Sequence, residues 1–278
     1  MAYKYDPSRA ALLTPARGVE FFSGGRPATE AALCAEMSRL SYAPFECDQD
    51  AKCRVEDALK RVGFSVCYFF SAGGTQGFLT ADTESSVSIL AFRGTEVNRV
   101  DRATDLQAWP RAWSEGGRVH RGFAQALDLV WSDLAPRLAG SAERRIYTGH
   151  SLGAALATLA ASRQPPDALY TYGSPRVGDN AFLQTLSSVE SHRYTNCCDV
   201  ICRLPMEVFG YRHVGAAMYV DREGAVHLGR DHRGAMLDRL RARLSYLWRY
   251  SCRRGNLLTR DFADHSPINY VSALSQFH

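Results

Sequence analysis

The spacing of apolar positions divides the chain into short strands and amphipathic helices. Compact apolar runs predict strands at residues 65–70, 77–80, 86–92, 145–148, 168–172, 192–196, 211–214 and 217–220. Apolar residues at helical spacing predict helices at residues 29–41, 55–62, 121–138, 178–186 and 231–250, and one more that begins at Ser151. From the middle of the chain onward, strands alternate with helices. This alternation favours a mainly parallel sheet with helices on both faces.

The first three strands follow one another without an intervening helix. Gly73-Gly74 separates the first two, and glycine pairs are typical of tight turns. This part of the sheet is therefore expected to be antiparallel. The chain shows no internal repeat and no low-complexity linker, so we predict one mixed α/β domain over residues 1–278.

Composition excludes some classes of function. The chain has 278 residues, of which 46% are hydrophobic and 22% charged, with a net charge of +4, values typical of a globular protein. That charge is too small for a nucleic-acid binder, although it would assist contact with an anionic membrane. Residues 1–7 lack an apolar run behind a basic start. We therefore expect no secretory signal, and either a cytoplasmic location or export by a signal-independent route.

The eight cysteines do not form a metal-binding pattern. No C-x-x-C pair occurs, so neither a zinc site nor any other cofactor is predicted. Without a secretory signal, reduced and mostly buried thiols are expected. Cys47 and Cys53 are close enough in sequence to bridge a short loop in an oxidising compartment.

The strongest chemical motif is Gly149-His150-Ser151-Leu152-Gly153, which fits G-x-S-x-G. A predicted strand precedes it and a predicted helix follows it, as a nucleophile elbow requires. Glycines on both sides of the serine permit the sharp turn, because a Cβ there would press on the neighbouring strand or helix. We therefore predict Ser151 as a catalytic nucleophile.

A serine nucleophile needs a base and an acid that orients the base. For the base we favour His265, which lies after the last strand, where Pro267 predicts a loop; His232 is the second choice. For the acid we favour Asp199, which ends the strand through residues 192–196, and Asp179 is its rival. The other histidines that follow the serine are His192, His213, His227 and His278.

Several motifs together resemble the class 3 (fungal-type) lipase family of the α/β-hydrolase superfamily. They are Phe92-Arg93-Gly94-Thr95, His120-Arg121-Gly122-Phe123, the serine motif, Gly173-Ser174-Pro175-Arg176-Val177-Gly178, the segments around Asp199 and Arg203-Leu204-Pro205, and Asp264-His265 through Tyr270. The resemblance implies the α/β-hydrolase fold. It also implies an oxyanion hole formed by Thr95 and by the backbone N–H of Leu152.

The same resemblance implies a lid between the oxyanion loop and the His120 motif, near residues 96–113. In residues 96–105 the only large apolar side chains are two valines, which predicts weak activation by an oil surface and leaves shorter or more soluble esters open as substrates. Trp109 and Trp113 follow, and core packing is a more ordinary use of two such tryptophans than an acyl groove.

The helix predicted over residues 231–250 is rich in both leucine and arginine. An ordinary helix of this kind packs its apolar stripe on the domain and leaves its arginines in solvent, which is the interpretation we favour. The alternative is a helix that lies on an anionic membrane.

These features predict a cofactor-independent carboxylic-ester hydrolase that acts on lipids as an acylglycerol lipase or esterase. A phospholipase that works at membranes would use the same residues, as would an acyl transferase with an alcohol as acceptor. A non-catalytic lipid-binding module is the alternative of another class. The sequence does not indicate an oligomeric state.

Overall fold

A computed structural model describes residues 3–17, 20–82, 84–94, 109–139 and 143–276, and in them an eight-stranded mixed sheet is the central element. Its strands, in spatial order, are β1 (Phe64–Ala72), β2 (Thr75–Asp82), β3 (Val87–Phe92), β6 (Arg144–His150), β7 (Ala168–Tyr172), β8 (Glu190–Asn196), β9 (Ala217–Val220) and β10 (Val226–Leu228). The four pairings from β3 to β9 are parallel, and those at both ends are antiparallel. The mainly parallel mixed sheet is therefore confirmed, and so is its antiparallel edge.

Helices cover both faces of this sheet. In chain order they are α1 (Arg9–Leu13), α2 (Glu30–Leu40), α3 (Gln49–Lys60), α4 (Arg121–Leu138), α5 (Leu152–Arg163), α6 (Asn180–Gln184), α7 (His232–Arg249), α8 (Arg260–Ala263) and α9 (Pro267–Leu274). Two short strands, β4 (Pro110–Ala112) and β5 (Arg118–His120), form a separate hairpin just before α4.

Side chains that point alternately to the two faces of the central strands divide the core into two layers. In β3, Ile89 and Ala91 join the cluster that packs under α2, α3 and α9, whereas Leu90 and Phe92 join the cluster under α4 and α5. Successive side chains of a strand point to opposite faces, so each apolar run supplies both layers. Burial of one such large side chain contributes about 1.5–3 kcal/mol.

Most predicted elements lie where the sequence placed them, with four corrections. The helix predicted at 55–62 begins earlier, at Gln49, because the Asp48 side chain caps its N-terminus. No strand forms at 211–214, where only an isolated bridge joins Arg212 to Gly178. Pro267, expected to mark a loop, begins α9, since proline suits the first turn of a helix.

The fourth correction concerns α7, whose bounds match the prediction but whose orientation does not. The helix packs on the domain through Ala235, Asp238, Ala242 and Tyr246, while its leucines face outward. The favoured interpretation, an apolar stripe packed on the core, is therefore wrong.

The cysteines are all free, and half of them are buried. The buried ones are Cys34, Cys197, Cys198 and Cys202, and the exposed ones are Cys47, Cys53, Cys67 and Cys252. None of the helices in the described ranges combines the length and the apolar character needed to cross a membrane.

Two buried histidines and one half-buried histidine make the stability of this fold sensitive to mild acid. Burial lowers the pKa of His120 to about 4 and that of His213 to about 3, and it lowers the pKa of His150 well below the ordinary value. Below about pH 6.5 the unfolded chain therefore takes up protons that the folded chain does not bind, and stability falls as the pH falls. Carboxylates with lowered pKa values lose their contribution only below about pH 4.

We predict that His120→Asn flattens this pH dependence. Asparagine can keep the cap that the His120 ring gives to the Phe123 N–H at the start of α4, but it does not titrate. The free energy of unfolding of the wild type should fall between pH 7.5 and pH 5 by about 2 kcal/mol more than that of the variant. Urea unfolding at both pH values measures these free energies. An equal decrease from pH 7.5 to pH 5 in the wild type and the variant would contradict the prediction.

Candidate active site

Ser151 lies in a strained turn between a buried strand and a buried helix. Strand β6 ends at His150, α5 begins at Leu152, and Ser151 between them has φ 58° and ψ −125°. A Cβ at Gly149 would collide with the Gly153 carbonyl group, and a Cβ at Gly153 would collide with the Phe92 carbonyl oxygen. Both glycines are therefore required by close backbone approach, as the G-x-S-x-G pattern predicts.

The histidine predicted to serve this serine lies in hydrogen-bonding contact with it, and the predicted aspartate lies in contact with the histidine. His265 Nε2 is 2.9 Å from Ser151 Oγ, and His265 Nδ1 is 2.9 and 3.0 Å from the two carboxylate oxygens of Asp199. An ionised carboxylate only accepts hydrogen bonds, so Nδ1 carries the proton. The lone pair of Nε2 then faces the serine hydroxyl, which is the arrangement that a general base needs.

Asp199 is buried and held by donors besides the imidazole. The Tyr270 hydroxyl donates to Oδ2 at 2.7 Å, and the Ile201 N–H donates to Oδ1 at 2.9 Å. Burial alone would raise the pKa of Asp199, but the facing His265 and the hydrogen bonds from His265 and Tyr270 outweigh it. The pKa of this carboxyl therefore lies below its ordinary value.

A second histidine, His150, fixes the backbone of the first. Its Nε2 is 2.7 Å from the His265 carbonyl oxygen, and its Nδ1 is 2.8 Å from the Tyr42 hydroxyl. The carbonyl can only accept, so Nε2 donates to it and Nδ1 accepts from the tyrosine. Burial, together with the neighbouring His265, lowers the pKa of His150, so this ring stays neutral. The sequence placed His150 inside the motif but gave no indication of this role.

A buried charge cluster joins the loop that carries the acid to the loop that carries the base. Asp264 accepts hydrogen bonds from Arg260 at 3.1 Å, from the Tyr5 hydroxyl at 2.9 Å and from the Cys198 N–H at 2.8 Å. Its backbone carbonyl also accepts from the Asn196 side chain at 3.1 Å. These contacts hold the segment just before Asp199 against the residue before His265.

Cys197, Cys198 and Asp264 also bring two thiols and a carboxylate within 4.8 Å of one another, the one such group in the described ranges. The carboxylate is already held by Arg260, Tyr5 and a backbone N–H, so it is not an open metal ligand. We assign no metal to this group.

The structure describes half of the expected oxyanion hole. Leu152 is the first residue of α5, so its N–H has no acceptor within the helix and lies directly beside the nucleophile. Thr95 lies outside the described residues. Gly94, one residue earlier, packs against the Tyr42 hydroxyl and the His150 carbonyl group. The preceding Arg93 is buried and bound to Glu46, which fixes the end of β3 next to the elbow.

The alternative site residues have other roles. Asp179 caps α6 by accepting from the Phe182 N–H, and His213 donates to the Cys202 carbonyl oxygen. His192 pairs with Glu190, His227 pairs with Asp221, and His232 begins α7 on the surface. His278 lies outside the described residues.

The predicted lid is described only in part, because residues 96–108 lie outside the described ranges. Of the two tryptophans that follow, Trp113 is buried and its Nε1 donates to the Ser162 hydroxyl at 2.9 Å. Core packing therefore accounts for Trp113. Trp109 is 67% exposed, so the same explanation is wrong for it.

Known proteins share this sequence pattern and this fold. The sequence model for lipase (class 3) matches residues 89–209. The secreted mono- and diacylglycerol lipase 1 of Fusarium solani is 33% identical over 53% of this chain and 48% of that protein. The secreted mono- and diacylglycerol lipase A of Penicillium cyclopium is 32% identical over 58% of both chains. The chain thus spans about half the length of these relatives.

The structural comparison covers more of the chain than the sequence comparisons do. The crystal structure of the mono- and diacylglycerol lipase from Aspergillus oryzae superposes with a TM-score of 0.62 at 24% identity, covering 74% of this chain and 87% of that one. This likeness confirms the α/β-hydrolase fold. The matched family pattern covers just under half of the chain, so over residues 89–209, which include Ser151 and Asp199, the chain is similar to the class 3 lipase family.

Proposed function

We propose that this protein hydrolyses carboxylic esters of lipids, acylglycerols first among them, through an acyl-enzyme on Ser151. The observation that carries the proposal is the continuous contact from the Ser151 hydroxyl through the His265 imidazole to the Asp199 carboxylate. Hydrolysis by such a site needs only water as the second substrate.

The geometry supports a two-step reaction. His265 Nε2 takes the hydroxyl proton as Ser151 Oγ bonds to the ester carbonyl carbon, and the Leu152 N–H, with Thr95, stabilises the oxyanion. When the C–O bond to the alcohol breaks, the imidazolium returns that proton to the departing oxygen. Water then loses a proton to Nε2 and attacks the acyl carbon. The acid is released and the proton returns to Ser151 Oγ.

The proposed substrate class is supported by the names of the proteins that this chain resembles. Two relatives are named mono- and diacylglycerol lipases, which favours partial acylglycerols. Contact with a lipid interface forms part of the proposal, since such substrates gather there. A phospholipase would use the same three residues, and a lipid-binding module without activity would leave them idle.

We predict that Ser151→Ala abolishes hydrolysis, since the variant lacks the hydroxyl that forms the acyl-enzyme. A series of p-nitrophenyl esters from acetate to palmitate, beside emulsified mono-, di- and triacylglycerols and phosphatidylcholine, should show kcat lowered by at least about 10⁴-fold. The exposed Ser188→Ala is the matched control and should retain full activity.

The chain-length profile separates esterase from lipase, and the phospholipid arm tests the alternative substrate. Labelling by a fluorophosphonate should require Ser151 but not Ser188. A wild-type protein that neither hydrolyses any of these esters nor takes the label would support the binding module instead.

We also predict that Tyr270→Phe lowers kcat and leaves KM nearly unchanged. The variant removes a donor from Asp199, which orients the imidazole but touches no substrate. Loss of one hydrogen bond to a charged group, about 1.5 kcal/mol, corresponds to a tenfold slower reaction. Tyr147→Phe is the matched control, because the buried Tyr147 hydroxyl has no partner among the described residues. Equal kinetics for both variants would argue against the positioning role.

A further inference from the structure

Helix α7 exposes an apolar face to the solvent along its whole length. Trp248 is 90% exposed, and five further large apolar side chains are 49–56% exposed: Met236, Leu237, Leu240, Leu244 and Leu247. At 100° per residue these six positions fall on one side of the helix, opposite Ala235, Ala242 and Tyr246. An apolar surface of this extent on a globular protein marks an interaction site.

The inner face fastens the helix to the loops of the candidate site. Arg239 Nε donates to the Cys197 carbonyl oxygen at 3.0 Å, two residues before Asp199. Arg243 Nε donates to Asp261 at 3.1 Å, four residues before His265. Asp238 accepts from the Tyr219 hydroxyl at 2.9 Å. Small alanines and this polar network hold α7 closely, so its orientation with the leucines outward is a built feature.

The unpaired charges beside the outer face come from arginines, because the acidic Asp221 and Glu223, which lie near Leu237 and Arg241, are paired with Arg230 and Arg222. Arg233, Arg241 and Arg249 are exposed, as are Arg253 and Arg254 just beyond the helix, and none has an ion-pair partner among the described residues. The acidic side chain within the helix, Asp238, is buried on the inner face. A face that is apolar along its middle and cationic at its borders complements an anionic lipid surface.

We propose that the outer face of α7 is a docking surface for an anionic phospholipid bilayer. Its leucines and Trp248 enter the boundary between head groups and acyl chains, and the arginines contact the lipid phosphates. Insofar as the bilayer is the source of the ester substrate, the inference rests on the proposed function. The contacts of α7 with both loops of the site would then keep the catalytic residues close to the lipid surface.

Vesicle binding tests this surface without any need for catalysis. The Ser151→Ala protein keeps the lipids intact and is incubated with phosphatidylcholine vesicles, with and without phosphatidylglycerol. We expect strong binding only to the anionic vesicles, weakened by salt. Trp248 emission should shift to shorter wavelength and be quenched by brominated lipid. Trp248→Phe should bind while losing that quenching.

Two sets of substitutions in that background separate the apolar contribution from the cationic one. Leu240→Gln, Leu244→Gln and Trp248→Gln together should lower binding at least tenfold. Arg233→Gln, Arg241→Gln and Arg249→Gln together should lower it on the order of 100-fold on anionic vesicles, at about fivefold for each arginine. Leu129→Gln with Arg17→Gln, exposed residues elsewhere on the surface, is the matched control and should bind like its parent.

Unchanged binding in both α7 variants would overturn the proposal. The proposal would also be overturned if the Ser151→Ala protein does not bind vesicles and instead forms a dimer through this face. Light scattering would then show a dimer for this protein and a monomer for the variant with Leu240→Gln, Leu244→Gln and Trp248→Gln. Proteins that carry the α7 substitutions but keep Ser151 should hydrolyse soluble p-nitrophenyl butyrate at the wild-type rate. That result would show that these variants fold. A wild type that binds vesicles but cleaves no ester would refute the proposed function and leave the docking surface standing.

Discussion

The close approach of three backbone segments around Ser151 is the constraint on which the site depends. The ends of β6 and β3 and the start of α5 meet where Gly149 and Gly153 have no side chains, and the Ser151 N–H donates to the Tyr172 carbonyl oxygen on β7. An unfavourable serine conformation of this kind costs on the order of 1–3 kcal/mol and persists only when the surroundings fix it. Here two core layers and three neighbouring strands do so. The strain therefore directs the hydroxyl toward His265 instead of relaxing.

The base and the acid come from loops, and buried polar contacts give those loops the rigidity that the sheet gives the serine. His150 holds the backbone of His265, Tyr270 holds Asp199, and Asp264 joins the two loops. Each contact satisfies a polar group that would be costly to bury alone. The same helix that exposes an apolar face to solvent, α7, is fastened to this network from outside. Helix α7 would thus contact the lipid surface on its outer face and the loops that carry the reacting groups on its inner face.

Local patterns in the sequence were sufficient for the fold and for choosing three residues that the structure brings into contact, and insufficient for the contacts that support those residues. Helix α4 and strand β7 have the predicted bounds because their spacing and end residues are local properties. The G-x-S-x-G motif carries its own steric reason. Tyr42 and Tyr270, by contrast, act across more than 70 residues of sequence, a separation that no short pattern encodes. The predicted orientation of α7 was wrong for another reason. Periodicity reveals an apolar stripe, but only packing decides which side of a helix is covered. Here two alanines on the opposite side allowed the helix to approach the domain more closely.

The contact between Tyr5 and Asp264 has a consequence for how the protein folds. These residues are 259 apart in the chain, and neighbouring contacts, such as that of the Leu257 N–H with the Pro7 carbonyl oxygen, are similarly remote. Contacts this distant in sequence form slowly, because a very long loop must close before they bring any gain. The elbow around Ser151 is built from nearby strands and can form early. A folding chain would thus assemble the turn around Ser151 before the segment that carries Tyr5 closes on Asp264, and formation of that contact would report a slow step of folding.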